Sequence, residues 1–229
     1  MKLQLWTIAI LVGIGAAAAP VQATTVPFTE DFAVDTADWF SDAAGAAPLV
    51  FNASGGPDAS SFASTVFNYL NSGPSDTPAF LRAQDEFNSS GNAFFGDWIA
   101  SGVNQFSMFV KHDAGTPLDF FARFSGPANF PGAVAVIPTS VPSGTWTELV
   151  VDISPSNTNI VLEGFPFADV FSNVGHVQIG TFVPSGLLGV DQDVVFGLDQ
   201  VTIVPEPGTI VLFAMGAALG LRRNRRRLG

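Results

Sequence analysis

Residues 105–124 read QFSMFVKHDAGTPLDFFARF. Two apolar runs, Gln105–Lys111 and Leu118–Phe124, flank the breaker cluster Ala114–Gly115–Thr116–Pro117. Each run is too short for a helix of ordinary length, and successive side chains on a strand point to opposite faces. In Phe106–Ser107–Met108–Phe109–Val110 and in Phe120–Phe121–Ala122–Arg123–Phe124 that alternation places several rings on one sheet face. Phenylalanine has no polar tip, so such rings are read as core fill rather than ligand contacts. With 22 Phe against 1 Tyr, rings supply much of the interior.

The same pattern continues in both directions. Strands are expected over Val26–Phe32, Leu49–Phe51, Ser64–Phe67, Phe94–Ala100, Ala133–Ile137, Thr145–Asp152, Val177–Phe182 and Val194–Ile203. Between them stand explicit turn signals: Ser54–Gly55–Gly56–Pro57, Ser72–Gly73–Pro74, Ser125–Gly126–Pro127 and Pro142–Ser143–Gly144. One short helix is expected around Pro166–Ser172. There is no internal repeat and no domain-sized break in composition. The chain from 24 to 204 is therefore predicted to be one all-β domain, an antiparallel sandwich or barrel.

The two ends have a different character. Lys2, the apolar run Leu3–Ile14 and the small-x-small triplet Val21–Gln22–Ala23 make residues 1–23 a secretory signal peptide. At the other end, Val204–Pro205–Glu206–Pro207 is read as an extended, accessible peptide, because proline donates no hydrogen bond to a helix or a central strand. Gly208–Leu221 is apolar, and Arg222, Arg223, Arg225, Arg226 and Arg227 follow. Arginines after a hydrophobic segment stay in the cytoplasm and stop translocation. The run is short beside the roughly 20 residues that a comfortable span needs.

The ordered triple of Pro205–Glu206–Pro207, hydrophobic helix and terminal arginine cluster resembles the PEP-CTERM protein-sorting signal, over residues 205–229. The resemblance implies recognition by an exosortase, a membrane-embedded transpeptidase-like enzyme, after passage through the secretion translocon. It also implies a transient inner-membrane intermediate, processing near the motif, and a final place at the cell surface or in the matrix of a Gram-negative bacterium that makes exopolysaccharide.

Charge and composition narrow what the middle does. Of 9 Lys and Arg, six lie in the leader and tail, leaving Arg82, Lys111 and Arg123 against 20 Asp and Glu, a formal charge of −17. Such a surface repels nucleic acid and anionic headgroups and suits solvation or cation binding. With no cysteine, thiol catalysis, Cys-type zinc sites and iron–sulfur clusters are excluded, and stability rests on the apolar core. His112 and His176 lie in no H-E-x-x-H pattern, His112 reads as a loop residue, and there is no G-x-S-x-G elbow.

Three segments resemble the galactose-binding-like jelly rolls of carbohydrate-binding modules. They are Phe28–Thr29–Glu30–Asp31–Phe32 with Asp38–Trp39, Thr145–Trp146–Thr147–Glu148–Leu149–Val150–Val151–Asp152, and Gly197–Leu198–Asp199–Gln200–Val201–Thr202–Ile203. The resemblance implies a single jelly-roll β-sandwich whose first and last strands share a structural calcium, with Glu30 and Asp199 as carboxylate ligands. Asp191–Gln192–Asp193 is read as a solvated loop. For a sugar ligand, Trp39, Trp98 and Trp146 are the candidate platforms and Arg123 the polar partner. The functional expectation is a non-enzymatic structural or adhesive surface protein. The alternatives are a module that binds exopolysaccharide and a secreted glycan hydrolase.

Overall fold

In a computed structural model of the chain, residues 24–42 and 47–205 are described, and they form two antiparallel sheets packed face to face. The first sheet runs in the order β2 (Val50–Asn52), β3 (Phe62–Asn68), β11 (Asp193–Pro205), β5 (Val103–His112) and β8 (Thr147–Asp152), with β1 (Phe28–Glu30) also paired to β11. The second runs β4 (Ala79–Gln84), β10 (His176–Thr181), β6 (Leu118–Ser125), β7 (Gly132–Val141) and β9 (Ile160–Leu162). The single α-helix among the described residues, α1 (Phe167–Phe171), is short and sits where the prolyl stretch predicts it.

Residues 105–124 show how the sandwich is made. Their two runs become β5 and β6, which lie in different sheets, so the Ala114–Pro117 connection crosses the core. Phe106, Met108 and Val110 of β5 and Phe120, Ala122 and Phe124 of β6 point inward and are almost wholly buried. Phe109, Phe121 and Arg123 have the opposite parity and lie on the outer faces. Phe80 and Phe196 meet in the core at a ring-centroid distance of 4.2 Å, and Trp98 packs edge-on to Phe124 at 5.1 Å. Repeated crossing between two antiparallel sheets is the jelly-roll form of the β-sandwich.

β11 carries most of the first sheet. Its Asp193–Leu198 half pairs with β3, its Val201–Ile203 part pairs with β1, and β5 lies along its other edge. The changeover falls at a register shift beside Gln200, whose φ is +48°. β11 also runs further than expected. Val204 pairs with Gln105 and the buried Pro205 with Val103, so both belong to the sandwich and not to a free peptide. Proline is tolerated there because the register with β5 shifts between Val204 and Pro205, where the ladder is already interrupted. Glu206, Pro207, the five tail arginines, the leader and the hydrophobic tail helix lie outside the described residues. Among the described residues no helix is long and apolar enough to cross a membrane.

Three elements differ from expectation. Phe94–Ala100 is not a strand: Phe94, Phe95 and Trp98 all enter the core, and the Trp98 indole N–H donates to the Phe94 carbonyl at 2.6 Å, which closes a turn. β4 and β9 were not expected. β4 carries Arg82 and Gln84 on its outer face, and β9 is only three residues long.

Candidate functional site

The outer face of the second sheet is polar across β4, β10 and one end of β6, and apolar across β7 and β9, where Val134, Val136 and Val161 continue it. Register places Arg82, Gln178 and Arg123 side by side across β4, β10 and β6. The next row is Gln84, His176 and Ser125, ending at Gly132 of β7. Between these rows Ala83, Val177, Phe124 and Ala133 face the core, so the polar set shares one face. Gln84, Ser125, His176 and Gln178 are all nearly inaccessible.

Arg123 is the hub. Its Nε and Nη2 donate to the two oxygens of Glu163 at 2.7 Å each, a two-pronged ion pair. Nη1 donates to Asn129 Oδ1 at 2.7 Å and to Gln178 Oε1 at 3.2 Å, and Nη2 also reaches the Asn129 carbonyl at 3.0 Å. All five guanidinium hydrogens thus have partners within the chain. Gly132 makes room for this arrangement, since a Cβ there would run into both Glu163 and Arg123 Nη2. Arg123 was expected to bind sugar directly; the structure uses it to hold Glu163, Asn129 and Gln178 in place.

His176 lies at one end of the polar rows. Its Nε2 is 3.0 Å from Glu86 Oε2 and 3.9 Å from Asp85 Oδ1, and its Nδ1 is 3.3 Å from Asn129 Oδ1. Burial pulls the His176 pKa down against the raising effect of Glu86. Asp85 is pushed up to about 6, first by burial and then by the neighbouring Glu86. Two aromatic pairs rim the face. Phe130 and Phe165 meet edge-on at 4.8 Å and are 50% and 38% exposed. Phe87 leans on Phe40 at 4.9 Å beside a groove lined by Asp38, Phe40 and Pro48.

The tryptophans are placed differently from expectation. Trp39 and Trp98 are fully buried, with their indole N–H groups bonded to Ser90 Oγ and to the Phe94 carbonyl, so neither offers a face to a ligand. Their size and burial value outweigh any surface role. Trp146 is half-buried on the outer face of the first sheet. It lies across Gly197, packs edge-on to Phe62 at 5.2 Å and donates to the Gly55 carbonyl at 2.8 Å. Phe130 and Phe165 are among the exposed rings, with Phe51 and Phe87. A signal was available for Phe130 and Phe165: each precedes a proline, which biases the residue to extended loop backbone.

Glu30 and Asp199 belong to separate networks. Glu30 accepts from the Phe32 amide at 3.0 Å and from Ser90. Asp199 is fully buried beside the bulge and accepts from Ser60 Oγ and from the Gln200 amide, each at 2.7 Å. Burial raises the Asp199 pKa, and the charges of Asp31 and Asp58 add to the rise. That negative pocket, rather than a Glu30–Asp199 pair, is what a calcium ion would meet. Neither residue is in a group of three convergent metal-ligating side chains among the described residues. Asn68 donates to both Asp191 and Asp193, as suits a loop.

Residues 204–227 match the family model described as the PEP-CTERM protein-sorting motif. No curated protein matches the chain. An exo-β-agarase structure matches 79% of the chain and 26% of its own, at 11% identity and a TM-score of 0.50, in keeping with the sandwich described. The CBM22-1–GH10 part of a Clostridium thermocellum xylanase, complexed with xylohexaose, matches at 18% identity and a TM-score of 0.47, over 78% of the chain and 28% of that structure. The C-terminal family 22 carbohydrate-binding module of the same enzyme matches at 12% identity and 0.44, over 79% of the chain and 94% of the module. The chain thus spans about a quarter of the length of the two larger structures.

Proposed function

We propose that this chain is an exported protein delivered to the cell surface through its PEP-CTERM tail, and that its sandwich is a non-catalytic, adhesive module for surface polysaccharide. The sorting motif over 204–227 implies an exosortase as processing partner. The contact surface is the outer face of the second sheet. The observation that carries this reading is the accessible edge of the polar rows, where Arg123 holds the half-buried Glu163 and the exposed Asn129 beside the exposed Phe130 and Phe165. Sugar hydroxyls take hydrogen bonds from fixed amides and carboxylates, while the apolar face of a pyranose ring packs on aromatic side chains. Pre-set side chains lose little freedom on binding, which favours a weak ligand such as a neutral glycan.

The test is affinity electrophoresis of the purified protein through gels containing neutral or acidic polysaccharides. Retardation by at least one polymer is expected, lost in Phe130→Ala and in Glu163→Ala and retained in Val195→Lys on the opposite sheet. No retardation by any polymer would overturn the adhesive reading. Release of reducing ends from the same polymers, abolished by a single carboxylate substitution, would instead establish the hydrolase alternative.

A further inference from the structure

We propose that Asp85, Glu86 and His176 form a binding site for a divalent transition-metal ion, with zinc as the probe. The proposal stands apart from the glycan reading and rests on where three residues meet. β4 ends at Gln84, and Asp85 and Glu86 open the 3-10 turn that follows. His176 opens β10 and pairs directly with Gln84. The Asp85 amide donates to the Gly175 carbonyl at 2.9 Å, which ties the two segments together at the site. One ligand atom from each side chain then lies within 4.8 Å of the others.

Hydrogen positions give a second, independent argument. Asn129 Oδ1 receives hydrogen bonds from Arg123 Nη1 at 2.7 Å and Gln178 Nε2 at 3.0 Å, which identifies it as the carbonyl end of the amide. His176 Nδ1 lies 3.3 Å from that oxygen and donates to it in the tautomer with its hydrogen on Nδ1, beside Ser125 Oγ, which donates to the same oxygen at 3.3 Å. In the neutral ring that leaves Nε2 bare, with its lone pair directed at Glu86 Oε2, 3.0 Å away. His176 is only 3% exposed, so water cannot intervene freely. A metal ion held by Nε2 and the two carboxylates would have Asn129 as the outer partner that fixes the tautomer of its histidine ligand.

The donor set selects the class of ion. One imidazole nitrogen with two carboxylate oxygens suits zinc or manganese better than a soft metal. Ligands about 2.0–2.2 Å from zinc stand about 3.3 Å apart in a tetrahedron. The observed 3.0 and 3.9 Å lie on either side of that spacing. The Glu86 and Asp85 side chains are 46% and 30% exposed, which leaves coordination positions open to water. Of the nearby cations, Arg123 is paired with Glu163, and Asp42 acts on the charge of Arg82.

The experiment is calorimetric titration of zinc into the full-length chain after dialysis against chelator, at pH 7. One site is expected, with affinity at least about tenfold weaker in His176→Gln and in Glu86→Gln, and about tenfold weaker in Asn129→Ala. Asp191→Asn should leave it unchanged. Long-range nitrogen–proton NMR should show His176 Nε2 shifting on zinc addition while Nδ1 stays protonated. Should His176→Gln fail to fold, Glu86→Gln, with its half-exposed side chain, decides alone. Absence of binding at millimolar zinc, or wild-type affinity in both ligand variants, overturns the proposal. So does a doubly protonated His176 in the presence of zinc.

Discussion

His112 shows how one buried side chain sets a response to acid. It was read as a loop residue, but it ends β5 in the core, 1% exposed between the rings of Phe120 and Phe196. Its Nε2 bonds the Val141 carbonyl at 2.9 Å, while Nδ1 is buried with no partner. Burial lowers its pKa below the usual 6.5, although Val141 and Asp113 pull the other way. A folded-state pKa below the unfolded one contributes stability that is present above the unfolded value and lost as pH falls through the folded one. Urea unfolding should therefore show stability level from pH 7 to 8 and falling from about pH 6.5 downward, with a shallower fall in His112→Gln. His176 shares the sign and adds to the slope. Asp199 has the opposite sign: its pKa is raised, chiefly by burial, so its charge costs stability as pH rises through the folded value. Asp199→Asn should thus melt higher than the wild type in chelator at neutral pH. If the calcium that the jelly-roll resemblance implies sits at Asp199, added calcium should raise the melting temperature of the wild type but not of Asp199→Asn; no calcium effect on either would remove that expectation.

At the scale of elements, β11 is the strand on which the first sheet depends. It touches β1, β3 and β5, and its Phe196 ring sits against Phe80, Phe120 and His112. Phe196→Ala should cost about 3–5 kcal/mol in chemical denaturation, because the core cannot close over the space. Its neighbour Val195, 43% exposed on the other face, should tolerate Thr within about 0.5 kcal/mol. Most strands could be read from alternation between turn signals, including β5, β6 and β11, because burying one face leaves a period of two in the chain. β4 could not. Its outer face holds Arg82 and Gln84, yet Phe80, Leu81 and Ala83 are all buried, so alternation is broken by a register shift opposite Ile179–Gly180. Phe94–Ala100 failed in the other direction, since a loop can bury adjacent rings where a strand cannot.

For the whole molecule, delivery and binding are separable. Fusing residues 204–229 behind an exported reporter should hold the reporter at the inner membrane of cells that lack an exosortase and release it to the surface where one is present. Equal soluble release from both strains would contradict the sorting role. The amino-acid sequence by itself determined the all-β class, the turn positions and the sorting motif, because each depends on residues adjacent in the chain. Only the tertiary structure decided the site. Asp85 and Glu86 meet His176 across 90 residues, and Arg123 meets Glu163 across 40, through strand pairing that no local pattern announces. It also decided which rings reach solvent: Trp39 and Trp98 are fully buried, while Phe130, between β6 and β7, and Phe165, between β9 and α1, stay exposed. Burial is a property of what packs against a side chain, and that is fixed by partners distant in the chain.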